Sequence, residues 1–549
     1  MYTMKRMLFL CLVLSVCLSF TSCSTGKNEP INRKEVVQRN HPKIKEFNEL
    51  SSLSVGNGEF AFTVDATGLQ TFPELYSAGV PLGTQSQWGW HSFANPEKYR
   101  FEETLKEYDF GRGHKELYAV QFNEPGRPRE AANWYRVNPH RLHLGIVGLE
   151  LTHEDGSLAK ADELSEINQE LDLWNGQIRS QFQLDGQSVS VVTACDSLHD
   201  EIGAQVVSPL TASGRVGVKL HFPYPTGKHA DDACDWTQPD KHSTTIVAQD
   251  AHSATLKRQL DETTYYVRLA WEGDAKLSEK EKHYFVLTPQ SGDTLSFTCL
   301  FTSAEPTGEN LSFDTLLASA SRYWNNYWLR GGIVDFSHCK DQRAPELERR
   351  VVLSQYLMAI QCAGSVPPQE SGLTYNTWFG KFHLEMHWWH GAHFALWGRP
   401  ELLERSLAWY RDSAYDNARA IAERQGFKGI RWMKMTDPSA IEAPSKVGSF
   451  LIWQQPHFIY MAELIYRANP SQEVIERYKD LVAETAEFMY SFATYDELEG
   501  RFVLKGAIPA QETLRAAETV NPPFELSYWH YAISVAQKWR ERQGLQRNL

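Results

Sequence analysis

Residues 177–192 read Gln177-Ile178-Arg179-Ser180-Gln181-Phe182-Gln183-Leu184, then Asp185-Gly186, then Gln187-Ser188-Val189-Ser190-Val191-Val192. Alternation at every second position turns one face of each run toward a core and the other toward water, which is the period of a β-strand. Asp-Gly accepts the positive φ angles of a tight type I′ turn, so the stretch predicts a β-hairpin. Working outward, similar runs between turn residues predict strands over 215–222, 264–271, 283–287 and 294–302. Antiparallel strands repeated in this way predict a large β-sandwich over residues 23–310.

The period changes after Pro306. Leu316, Leu317, Ala320, Tyr323, Trp324 and Tyr327 recur at helical spacing. They predict a connecting helix over 312–328 with Ser312 as its N-cap, inside a linker spanning 311–344. Six more helices are predicted over 345–362, 383–397, 401–425, 449–467, 471–492 and 524–542, within a helical domain at 345–549. The fold class is therefore multidomain, β followed by α, as expected of a chain of 549 residues.

The formal charge of −13 and the lack of any long basic run exclude nucleic acid as a partner. Seventeen Trp exceed the needs of a core, and a Trp ring is a flat platform for an uncharged ligand with C–H faces, such as a sugar. Lys5 and Arg6 precede the apolar stretch 7–20, which is too short to span a bilayer but suits an export signal over residues 1–22. Phe20-Thr21-Ser22-Cys23 resembles the lipobox of bacterial lipoproteins, with Phe20 in place of the usual Leu. The expected protein is a soluble body lipid-anchored through Cys23 to a bacterial envelope membrane, on the periplasmic face because no acidic run follows Cys23. The remaining cysteines, Cys195, Cys234, Cys299, Cys339 and Cys362, show no C-x-x-C spacing and predict at most two disulfides.

Three clusters carry candidate chemistry. The first runs from Trp378 to His393 and contains Lys381, His383, Glu385, His387 and His390. On a helix His383, His387 and His390, at i, i+4 and i+7, would share a face. However, a metalloprotease motif places its Glu next to the first His, whereas Glu385 lies about 200° around the helix, so no metal is expected. These groups fit sugar hydroxyls, with Trp against the ring. The second cluster is Gly429-Ile430-Arg431-Trp432-Met433-Lys434-Met435-Thr436-Asp437-Pro438 with Glu442, leading to Gln454-Gln455-Pro456-His457. Loops of this composition face ligands. The third is Pro509-Ala510-Gln511-Glu512, followed by Glu525. A carboxyl on a Pro-flanked loop can be partly desolvated and held protonated, which a general acid requires.

These clusters occur in the same order in glycosidases that carry an (α/α)6 barrel behind a β-sandwich, and the sequence resembles the group containing maltose and kojibiose phosphorylases and inverting α-L-fucosidases. Val55-Gly56-Asn57-Gly58-Glu59-Phe60 resembles the Leu-Gly-Asn-Gly stretch of both families. The segment from Gly372 to Glu385 resembles the phosphorylases' Trp-Asp-Thr-Glu, and Glu385-Met386-His387-Trp388-Trp389 is similar to the fucosidases' Glu-Met-Asn-Tyr-Trp. Pro509–Glu512 falls where both carry the general-acid Glu. Lys381 and His383 stand where the fucosidases have two Asn, so the sugar is not carried over.

The resemblance implies an exported glycoside hydrolase acting with inversion on an oligo- or polysaccharide, with Glu512 as general acid and no cofactor. Trp378, Lys381, His383, Glu385, Arg431, Trp432, Lys434, Gln455, His457 and Glu525 are expected to bind the substrate. A disaccharide phosphorylase and a non-catalytic glycan-binding lipoprotein are the alternatives. A full barrel has twelve helices where six are read here, so the chain is expected to be partial, to be followed by about 150 further residues at ordinary helix and loop lengths, and to be poorly soluble or inactive by itself. No base is assigned, with Glu385, Glu442 and Glu525 held in reserve.

Overall fold

A computed structural model describes residues 30–548. The export signal and Cys23 lie outside the described residues. The hairpin that opens the sequence reading closes through a two-residue loop, with Leu184 opposite Gln187. Asp185 and Gly186 take φ of 51° and 71°, as the turn requires. Ile178, Phe182, Leu184, Val189 and Val191 are all buried.

That hairpin lies within a nine-stranded antiparallel sheet. In spatial order its strands are Lys43–Ile44, Ser165–Asp172, Gln177–Leu184, Gln187–Cys195, Glu201–Val207, Thr294–Thr302, Thr263–Glu272, Ser253–Leu260 and His242–Gln249. A four-stranded sheet, Ala275–Glu281, Tyr284–Pro289, Val216–His221 and Ile146–Leu151, contributes to the same apolar core. Between these sheets in sequence comes a region that includes the hairpin Leu105–Tyr108 with Glu116–Ala119 and the helix Arg127–Val137.

The connecting helix runs Phe313–Leu329, and the Ser312 side chain accepts from the Thr315 amide as an N-cap. It is seated on the turn before the first hairpin strand. Trp328 Nε1 donates to Leu173 O at 2.6 Å and Asn325 Nδ2 to Trp174 O at 2.8 Å. Seven α-helices follow among the described residues: Ala344–Cys362, His387–Leu396, Pro400–Asp412, Tyr415–Arg424, His457–Ala468, Gln472–Phe492 and Pro523–Arg542. Their apolar faces join the sheets in one continuous core.

Three helix expectations are corrected. The helix expected over 401–425 is two, because Trp409 O accepts from both Ser413 N and Ala414 N and turns the chain there. The helix expected from residue 383 starts at His387, because Phe382 and His383 are held in a short ladder with Thr436 and Met435. The helix expected from residue 449 starts at His457, after a 3-10 turn at Gly448–Phe450 and a bridge from Leu451 to Ile508. Pro456, which has no amide hydrogen to bond, suits the cap position. The five cysteines after the leader are all free. Among the described residues, no helix is long and apolar enough to cross a membrane.

Gly176 shows how closely the two regions meet. Its φ is +65°, and an added Cβ would lie 1.9 Å from Trp324 Cδ1 of the connecting helix. Gly176→Ala combines overpacking, worth about 1–3 kcal/mol, with left-handed strain of about 1–3 kcal/mol. Equilibrium urea unfolding should register a loss of about 2–6 kcal/mol, the sum of the two, whereas Gly186→Ala, with nothing within 4 Å of the added carbon, should show the strain alone.

Candidate active site

The ladder that displaces the helix start also builds the site. Phe382 pairs with Thr436 and His383 with Met435, and Leu384 N donates to Lys434 O at 2.8 Å. The first and second sequence clusters are thereby joined, with Lys434 beside Glu385. The third arrives on the loop after Leu504. Ile508 N donates to Phe450 O at 3.0 Å, and Ala510 N donates to Glu525 Oε1 at 2.7 Å. Glu512 then turns into the site with φ +61°, a left-handed conformation that costs a residue with a Cβ about 1 kcal/mol or more.

Lys434 Nζ is the meeting point. It lies 2.9 Å from Glu385 Oε1, 3.0 Å from Glu512 Oε1 and 4.9 Å from the centre of the Trp378 ring. Glu385 and Lys434 are buried, while the Glu512 side chain remains 37% exposed. Burial pushes the Glu385 carboxyl up to about 7, against the opposing pull of Lys434. Burial also works against the Lys434 charge, but the two carboxylates more than offset it and raise its pKa. Near neutral pH the group therefore keeps its ammonium, and Glu385 is partly protonated. Glu370, half-buried, has its pKa raised by burial, partly offset by Lys434.

Trp378, Lys434 and Glu512 line a cavity of about 290 Å³, together with Gln121, Arg136, Met433, Met435, Ala443, Ser445, Lys446, Val447 and Gly448. Gln121 and Arg136 come from the region before the four-stranded sheet, so both halves of the chain form its wall. A larger cleft of about 620 Å³ lies between Trp90, Phe93, Trp134 and Glu262. None of the three motif clusters reaches it.

The other expected substrate-binding residues sit elsewhere. Lys381 is buried and donates from Nζ to Asn138 O at 2.9 Å; burial lowers its pKa to about 8. His383 is buried, neutral with its pKa lowered to about 3 by burial, and donates from Nδ1 to Lys381 O at 3.0 Å. That leaves its Nε2 as an acceptor, 3.5 Å from Glu370 Oε2. Buried His457, likewise lowered to about 3 by burial, donates from Nε2 to Glu385 O at 2.9 Å and accepts from Tyr528 at Nδ1. It fixes the backbone of Glu385 rather than facing the cavity.

Arg431 is buried, bonded to Gln425 and Ser449 O. Trp432 is buried with its Nε1 on Thr485, and Gln455 braces the Ile430 and Trp432 backbone. Glu525 is buried behind the Glu512 loop, which it supports through Ala510. Glu442 is paired with Arg424. His387 bonds to Tyr410 and Ser406, and His390 to Glu370 O.

Sequence reasoning missed Gln121, Arg136, Lys446 and Glu370. For Glu370 a signal existed: Pro367-Pro368-Gln369-Glu370 repeats the Pro-x-Gln-Glu form of Pro509–Glu512. Arg136 lies on an ordinary amphipathic helix and has none.

No protein-family model and no curated protein matches the chain. Solved structures do match. A protein from the human microbiome assigned as a kojibiose phosphorylase aligns with a TM-score of 0.65 at 11% identity, over 92% of this chain and 66% of its own. The chain thus spans just under two thirds of that relative. A bacterial glucoamylase complexed with acarbose aligns at 0.45 and 11% identity, over 92% and 69% of the two chains. A family GH92 inverting mannosidase from Bacteroides thetaiotaomicron aligns at 0.37 and 10% identity, over 84% and 62%. The structure resembles six-hairpin glycosidase-type proteins. At this identity the likeness concerns the fold, and the first of the three carries it.

The charge arrangement predicts a titration. The component of the protonated-carboxyl infrared band that titrates near pH 7 in the wild-type chain should be missing in Glu385→Gln. In Lys434→Met it should persist to higher pH, because the stabilising ammonium is gone. The Glu385 pKa is higher folded than its ordinary 4.5, so its contribution to stability is full below about 4.5 and is lost as pH rises through about 7. Melting temperatures of wild type minus Glu385→Gln should fall across that window. A flat difference would remove Glu385 as the proton carrier.

Proposed function

We propose that this chain is a glycoside hydrolase with a β-sandwich ahead of an (α/α)6-type helical domain, exported and lipid-anchored through Cys23 on the periplasmic side of a bacterial envelope. The observation that carries this reading is the convergence of Glu385 and Glu512 on the Lys434 ammonium beside Trp378, at a cavity of sugar size. Trp378 supplies the apolar platform for a sugar face.

Glu512 is the carboxyl that faces the cavity, and we assign it the proton transfer to the leaving oxygen. Its exposed side is the one a bound sugar would cover, within reach of the leaving oxygen. The Oε1 atoms of Glu385 and Glu512 share one ammonium and so lie within about 6 Å of each other, less than the roughly 6.5 to 9.5 Å that admits an attacking water between two carboxyl groups. Glu385 is therefore given the proton and the positioning of Lys434, and water activation on the far face is left to another group. Hydrolysis with inversion is therefore taken from the resemblance of the sequence to inverting glycosidases, and it requires a base outside these three groups to accept the attacking water's proton.

A disaccharide phosphorylase is the second reading, supported by the two cavity cations, Arg136 and Lys446, that no carboxylate pairs. Release of free sugar at a rate independent of added phosphate supports the hydrolase. A sugar phosphate formed only with phosphate supports the alternative, and no product from a broad glycan panel supports a binding protein.

Glu512→Gln keeps the shape and removes the transferable proton. Activity on unactivated glycosides should fall by about 10²- to 10⁴-fold, with a smaller loss on aryl glycosides whose leaving groups need no protonation. Equal small losses on both substrates would exclude Glu512 from the role.

A further inference from the structure

The cavity that Glu512 lines is rich in cations. Arg136 and Lys446 line it along with Lys434. Lys434 is balanced by Glu385 and Glu512, but among the described residues neither Arg136 nor Lys446 has a carboxylate partner. The Arg136 guanidinium makes one hydrogen bond to protein, from Nη1 to Pro444 O at 3.0 Å, which leaves four of its five N–H donors for other partners. It is half-buried, and burial alone, with no opposing anion, lowers its pKa. The charges that sense it are Lys381, His229 and His383, none of them anionic. Its guanidinium carbon lies 5.8 Å from the Trp378 ring centre, on the same indole that Lys434 approaches. Lys446 donates only to the side-chain oxygen of Asn123, itself uncharged.

A partly desolvated guanidinium without a counter-ion is costly, and a planar fork of free donors fits a carboxylate or similar oxyanion in two parallel bonds. The rest of the protein cannot supply this preference, since its overall charge is −13 and repels anions at long range. Any such selection is local.

We propose that the cavity takes an anionic sugar unit, a uronic acid residue whose carboxylate is held by Arg136 and Lys446 while its ring lies on Trp378. Glu512, which lines the same cavity, then works at the glycosidic oxygen. This assignment rests on the reading of the cavity as the sugar site.

The test is direct binding to the full chain, measured by titration calorimetry with glucuronate and galacturonate, the parent glucose and galactose, and inorganic phosphate. Uronates should bind at least about 10-fold more tightly than their parent hexoses, with the difference shrinking as salt is raised. Arg136→Gln should weaken uronate binding by about 10- to 100-fold and leave hexose binding unchanged. Lys446→Gln, at an exposed position where folding is not at risk, should weaken it by several-fold. Equal binding of uronates and hexoses, or binding of neither, overturns the proposal. So does phosphate binding that depends on Arg136 and strengthens with a neutral hexose present, which identifies the anion as a phosphate co-substrate. Uronate binding as described, without hydrolysis of any uronate-containing glycan, leaves the proposal standing and removes the hydrolase reading. Release of neutral sugars at full rate by both variants does the reverse.

Discussion

The Lys434 ammonium is held away from bulk water between the carboxyl groups of Glu385 and Glu512, and the geometry of the site follows from that requirement. A buried cation must be paired, and the pairing must come from groups fixed by the fold. Glu385 is fixed from behind by neutral His457, which bonds its carbonyl. Glu512 is fixed by a loop whose amide at Ala510 is bonded to Glu525. The left-handed backbone of Glu512 is sustained by this surrounding structure, including the bridge from Ile508 to the Phe450–Leu451 strand-like segment. One charge thus couples three sequence clusters that have no local reason to meet.

The N-terminal region does more than precede the helices. Tyr118 and Val120 pack with Phe450, Leu451, Trp453 and Ile508 in a small core beneath the loop that carries Glu512. Ala230–Asp231 pairs with Asn376–Thr377, which holds the turn presenting Trp378. Gln121 and Arg136 complete the cavity wall. Burial of apolar surface between the two regions is therefore also what orders the charged groups, and loosening one would be felt by the other.

Much of the fold was legible because it follows local rules. The Asp185-Gly186 turn has the only chemistry that closes so short a hairpin comfortably, and Ser312 caps its helix through a side-chain oxygen three residues from its partner amide. The errors arise where a distant partner overrides periodicity. His383 continues a helical spacing with His387 and His390, yet Thr436 and Met435 draw Phe382–His383 into extended pairing. In residues 401–425 the apolar spacing runs through a break made at Trp409 O, Ser413 and Ala414. Arg431, Trp432 and Gln455 read as ligand-facing groups because polar and aromatic residues mark both sites and buried networks, and composition does not distinguish the two.

By itself the sequence determined the order of a β-rich part and a helical part, the positions of six of the thirteen strands in the two main sheets and of most helices, and the presence of Glu385, Lys434 and Glu512 in chemically dense segments. Those features depend on side-chain period and on bonds between residues a few positions apart. Only the tertiary structure decided that the three groups meet at one ammonium, that Glu385 is the buried carboxyl and Glu512 the accessible one, and that Arg136 closes the cavity from more than two hundred residues earlier in the chain. Charge, burial and proximity between distant segments are set by packing, and packing is a property of the folded chain as a whole.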